Sequence, residues 1–140
     1  VEDYNGKVAW VYRHFPIKEI HPKAVDEAIA SECVAKLGGN DKFWQFLDKF
    51  FEVSLSNNET DLSVLPSIAT NIGIDKAKFN ECLSTRKYEE KINAQFNEAL
   101  QTGGQGTPWS LLITKDGRVF PVNGFSEYGV LKQIIDVALQ

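Results

Sequence analysis

Apolar positions along this sequence change their spacing in a way that separates strands from helices. Val8-Ala9-Trp10-Val11-Tyr12-Arg13-His14-Phe15 is β-branched and aromatic, lies between Asn5-Gly6 and Pro16, and predicts a strand buried on at least one face. From His21-Pro22 the period lengthens. Ala24, Ala28, Ile29, Cys33 and Leu37 recur at helical spacing until Gly38-Gly39 ends the run, which places Cys33 on an inward-facing stripe. Asn40 or Asp41 can cap a second helix, in which Phe43, Trp44, Phe46, Leu47, Phe50 and Phe51 are too numerous for a narrow stripe and imply packing on two sides. Aromatic density of this kind reads either as core or as a partly exposed groove for an apolar partner.

Ser54 to Thr60 has no apolar period and reads as a loop; its Asn58-Glu59-Thr60 matches a glycosylation sequon, a short and weak pattern. Asp61 to Ile72 predicts a helix in which Pro66 either makes a kink or marks a late start, with Gly73 as its stop. Asp75 can cap a short helix carrying Phe79, Cys82 and Leu83, and Tyr88 to Leu100 sets Ile92, Phe96 and Leu100 on one side of another. After Gly103-Gly104-Gln105-Gly106 and Pro108, the Asp116-Gly117 pair predicts a hairpin between Trp109–Thr114 and Val119–Val122, with Pro121 marking an edge strand. Ser126 can cap a last helix that buries Tyr128, Leu131, Ile134, Ile135 and Ala138.

At 140 residues and 43% apolar content, the chain is sized for one domain with one core. A net charge of −4 with scattered Lys and Arg disfavours nucleic acid and acidic membrane surfaces as partners. No apolar run reaches the roughly 18 to 20 residues of a membrane helix, and Val1-Glu2-Asp3-Tyr4 is unlike a signal peptide. No cofactor is expected. His14 and His21 fall on different elements without ligand spacing, so no metal site is expected either. Paired carboxylates beside a His, a nucleophile elbow and a phosphate-cradling loop are absent as motifs. Cys33 and Cys82, the only cysteines, read either as two separate core thiols or as a structural disulfide, which implies an oxidising compartment.

Four stretches taken in order carry a resemblance. They are Val11-Tyr12-Arg13-His14-Phe15-Pro16, then His21-Pro22 with Ala24 and Ala28, then Lys42-Phe43-Trp44-Gln45-Phe46 with Phe79-Asn80-Glu81-Cys82-Leu83, and finally Gly106-Thr107-Pro108 with Asn123-Gly124-Phe125. Together they resemble the DsbA-like thiol-disulfide oxidoreductases of the thioredoxin superfamily, over nearly the whole sequence. The resemblance implies an α/β, incomplete thioredoxin-like (DsbA-like) fold with a small mixed sheet of about three strands and a helical insert. It makes 1–140 a single DsbA-like domain, with the insert at 18–102 and the thioredoxin-like part at 1–17 and 103–140. It also implies a bacterial, extracytoplasmic or periplasmic setting, a Cys33–Cys82 bond of the kind some relatives carry in the insert, and a cis Thr107–Pro108 peptide. There Gly106, Thr107 and Pro108 face substrate, and the backbone of the residue before proline pairs with an extended polypeptide segment.

The departure matters as much as the match. The family's Cys-x-x-Cys is absent, neither Cys33 nor Cys82 stands at its position, and no catalytic residue is assigned. The sequence as given is therefore expected to be redox-inactive and to start after the family's active-site helix. Alternatives are a fragment of an active oxidoreductase, a working Cys33/Cys82 pair, or a helical interaction module using Phe43 to Phe51. The family's first strand lies centrally, between Val8–Phe15 and Trp109–Thr114. Its absence implies unpaired edges, filled by direct closure, by a longer natural protein or, as first expectation, by a homo-oligomer that completes the sheet.

Overall fold

In a computed structural model describing residues 1–55 and 58–140, Gly39 has φ 79° and ψ −173°, a conformation close to glycine-only. It divides α1 (Ala24–Val53) into two helical stretches where the Gly38-Gly39 pair predicts a break. Gly38 is needed for a different reason: a Cβ there would lie 2.6 Å from Ile74 Cδ1. The remaining elements are α2 (Val64–Asn71), α3 (Lys76–Thr85), α4 (Glu89–Gln101), β1 (Trp109–Ile113), β2 (Val119–Asn123) and α5 (Tyr128–Ala138), with a 3-10 turn at Glu2–Tyr4. The class is mixed α/β, as the sequence implies. Two compact units form, residues 1–96 and 97–140.

In the first unit the core is helical. Val25, Ile29, Ala30, Cys33 and Val34 of α1 meet Phe46 and Phe50 beyond the break, Leu65, Ile68 and Ala69 of α2, Phe79 and Cys82 of α3, and Ile92 of α4. After the break the buried residues Phe43, Phe46, Leu47 and Phe50 form one helical stripe, and Trp44 beside it takes the Tyr12 ring edge-on at 6.1 Å. Phe51 departs from the expected core and is 61% exposed. Pro66 sits in the first turn of α2, where its missing N–H leaves no helical bond unmade, so the late start is the form observed. The Asp75 carboxylate caps α3 by accepting from Lys78 N at 2.9 Å. Of the loop expected at Ser54 to Thr60, residues 54–55 and 58–60 are non-helical, and Ser56 and Asn57 lie outside the described residues. Asn58 Nδ2 donates to Ile20 O at 2.8 Å, and the Thr60 hydroxyl donates to Leu55 O at 3.0 Å.

Val8 to Phe15 carries the composition of a strand without its ladder. It forms no strand pairing among the described residues, and side chains fix it to the helices. Tyr12 packs edge-on against Phe43 at 5.6 Å, Phe15 against Phe96 at 5.3 Å, and His14 N donates to Gln95 Oε1 at 2.7 Å.

The second unit holds the only sheet among the described residues, a two-stranded antiparallel hairpin with Trp109 opposite Asn123 and Ile113 opposite Val119. Its turn is closed by Gly117 N donating to Thr114 O at 2.9 Å. Ser126 does not cap α5: the N-cap position is Glu127, and no side chain there bonds to the helix. Tyr128, expected inside, is 65% exposed, and no residue of α5 is fully buried.

Candidate functional site

The loop before β1 is shaped by the end of α4. Gly104 N donates to Ala99 O at 2.8 Å and Gly103 N to Leu100 O at 3.0 Å, a paired closure with Gly103 at φ 95°. Trp109 then returns to this helix end, its indole Nε1 donating to the Thr102 hydroxyl at 3.0 Å. Between these two anchors the backbone crosses Gln105, Gly106, Thr107 and Pro108. Gly106 is half-buried, Thr107 and Pro108 are exposed, and the Thr107–Pro108 peptide is cis. Pro108 O accepts from Gly124 N at 3.0 Å, which ties the loop to the far end of β2. By contrast, the Thr107 N–H and C=O make no hydrogen bond among the described residues. Gly106, Thr107 and Pro108 are thus adjacent and held at both ends, with the main-chain N–H and C=O of both Gly106 and Thr107 unbonded among the described residues.

The two cysteines lie elsewhere. Cys33 of α1 and Cys82 of α3 are bonded to each other, with Cα atoms 5.8 Å apart, and neither is a free thiol. Cys33 is fully buried and Cys82 nearly so. A thiolate must reach a sulfur to exchange with it, so this bond is closed to outside attack while the helices stay packed.

Next to Cys33 in sequence, buried Glu32 organises a polar network. Its Oε1 lies 3.1 Å from His14 Nε2, and Lys91 Nζ donates to its Oε2 at 2.6 Å. With Glu32 ionised, His14 Nε2 carries the proton and donates. Burial pushes the Glu32 carboxyl up, but the hydrogen bonds from His14 and Lys91 outweigh it and hold the group below the usual glutamate range. The sequence did not point to Glu32, because a glutamate in an apolar stripe gives no sign of partners 18 and 59 positions away. Among the described residues no three His, Cys, Asp or Glu groups converge as a metal site would need, and no helix is long and apolar enough to cross a membrane.

A family model described as Thioredoxin matches residues 1–136. The chain is similar to the Na(+)/H(+) antiporter NhaA 1 of Mycolicibacterium vanbaalenii, 31% identical over 89 residues, which cover 64% of this chain and 13% of the antiporter. It is also similar to the Na(+)/H(+) antiporter NhaA 3 of Salinispora tropica, 28% identical over 127 residues, covering 91% of this chain and 17% of that protein. The chain therefore spans less than a fifth of the length of these curated relatives. Among solved structures it resembles the crystal structure of Pseudomonas aeruginosa DsbA2, with a TM-score of 0.73 and 23% identity over 91% of this chain and 69% of the other. At that identity the likeness is one of fold.

Proposed function

The chain belongs to the thioredoxin family, and from that premise we propose that it is a polypeptide-binding module which holds an extended segment at Gly106, Thr107 and Pro108 without exchanging disulfides itself. The observation that carries this reading is the pair of unbonded main-chain groups on Thr107, exposed at the entrance to β1. An extended peptide meets such a pair with its own C=O and N–H, so affinity comes from backbone bonds and tolerates varied side chains. Redox inactivity is supported by the sulfurs: the two cysteines are already joined and buried, which leaves no thiolate to attack a substrate. A buried structural disulfide also favours an oxidising, extracytoplasmic setting.

The test is binding of a labelled unfolded polypeptide whose cysteines have been reduced and alkylated. Thr107→Pro removes the N–H and is expected to weaken binding about tenfold, the worth of one main-chain hydrogen bond at an exposed edge. Equal affinity in the variant, or turnover of a disulfide substrate by the unmodified protein, overturns the reading. The matched lengths support a second reading, in which this module serves inside a longer polypeptide. Immunodetection of the natural protein distinguishes the two by its size.

A further inference from the structure

We propose that Asn5-Gly6 is a site of spontaneous covalent modification, converting asparagine to isoaspartate and aspartate, while the second such pair in the sequence, Asn123-Gly124, is protected by the fold. Asparagine is a thermolabile residue type, and glycine after it leaves the attacking nitrogen unhindered because no Cβ stands beside it. Both pairs share that sequence chemistry. The structure separates them.

Asn5 and Gly6 occupy the centre of a tight turn closed by Lys7 N donating to Tyr4 O at 3.0 Å, with φ 48° at Asn5 and 80° at Gly6. Both residues are exposed, and nothing lies within 4 Å of the place a Gly6 Cβ would occupy. Among the described residues neither the Gly6 N–H nor the Asn5 side chain is hydrogen-bonded. Rotating Asn5 toward attack geometry opens the Lys7 N to Tyr4 O closure of this short exposed turn, but no bond is held by the Gly6 N–H itself. Asn123 sits differently: it ends β2 opposite Trp109, and the Gly124 N–H donates to Pro108 O at 3.0 Å. Attack there requires this bond to open and the strand end to fray.

In the reaction the Gly6 backbone nitrogen attacks Asn5 Cγ. A new bond between that nitrogen and Cγ closes a five-membered succinimide, the bond from Cγ to Nδ2 breaks, and the amide nitrogen leaves as ammonia with the proton Gly6 gave up. Water then adds to one of the two ring carbonyls. Opening at the Cγ carbonyl gives aspartate, and opening at the backbone carbonyl of residue 5 gives isoaspartate. Either product places a new carboxylate beside Glu2 and Asp3, and isoaspartate also adds a methylene to the backbone just before the Val8–Phe15 segment.

The full-length protein is incubated in heavy-oxygen water at mildly alkaline pH, folded and in denaturant, and its peptides are mapped by mass. The peptide holding residue 5 is expected to gain one mass unit from amide to acid and two from the incorporated oxygen, with isoaspartate present. In the folded protein Asn5 converts about tenfold faster than Asn123, because an exposed turn opens more readily than a strand end whose attacking N–H is itself bonded. In denaturant the two rates converge. Asn5→Gln, whose ring would be six-membered, loses the signal at that peptide and leaves Asn123 unchanged. Conversion of Asn123 as fast as Asn5 in the folded protein, a difference of about tenfold that persists in denaturant, or aspartate formed without isoaspartate each overturns the proposal.

Discussion

Glu32 holds its charge among apolar neighbours because His14 arrives from the extended segment and Lys91 from α4, so one carboxylate ties three stretches of the protein together. Glu32→Ala leaves both partners without their acceptor, and chemical denaturation is expected to show a loss of about 2 kcal/mol, the scale of a charge-assisted bond whose Lys91 end is half in water. Since folding lowers the Glu32 titration, its contribution is complete at neutral pH and is lost as pH falls through that lowered value. Stability measured from pH 7 downward should thus fall more steeply in the unmodified protein than in Glu32→Gln, which has no proton to take up. Equal acid slopes in the two proteins contradict this. Cys33 was legible from its place on the stripe, and a loop before β1 from the glycines and Pro108 ahead of an apolar run; Glu32 was not, because a helical period marks which face turns inward but not what crosses over to meet it.

At the scale of elements, the disulfide staples α1 to α3 across 49 positions. On the chain-entropy model a loop of that length is worth about 4 kcal/mol through restriction of the unfolded state. Cys33→Ala/Cys82→Ala should lower the denaturation free energy by up to that amount, with far-ultraviolet dichroism kept wherever folding survives. Reduction of the native protein should wait on opening of the helices, so the thiols appear in mild denaturant and not before it. Rapid native labelling after brief reductant treatment contradicts a buried structural bond. The helices were readable because their stops are chemical: Gly38-Gly39 at the break, Asp75 at the α3 cap, Pro66 in a first turn. Val8–Phe15 read as a strand and is extended without a ladder, since β-propensity reports fit to a half-buried surface and does not name the neighbouring strand. The α5 stripe was legible as amphipathic, whereas its exposure depends on what packs there, which the period does not encode.

For the molecule as a whole, the contrast between the two units decides what to expect in solution. Residues 1–96 contain every fully buried apolar side chain among the described residues, while none of the apolar residues of 97–140 is fully buried. A lone two-stranded hairpin is marginal in water, and here Ile113, Phe125, Tyr128 and Val137 are 65%, 77%, 65% and 69% exposed. Among the described residues β1 pairs on one side only, with β2, so the unit also presents strand groups that a further polypeptide can bond. A second copy is the partner always available to a purified protein, and it supplies both an apolar surface and a strand edge. We therefore expect self-association, seen as a mass rising from monomer toward dimer by light scattering as the protein is concentrated through the micromolar range. Phe125→Ser and Val137→Lys should each weaken the assembly about tenfold, as truncation of a well-packed apolar contact does, with thermal unfolding of the 1–96 core unchanged. A monomer at every concentration that also melts cooperatively would remove the second copy as partner and leave the 97–140 surface for a different protein.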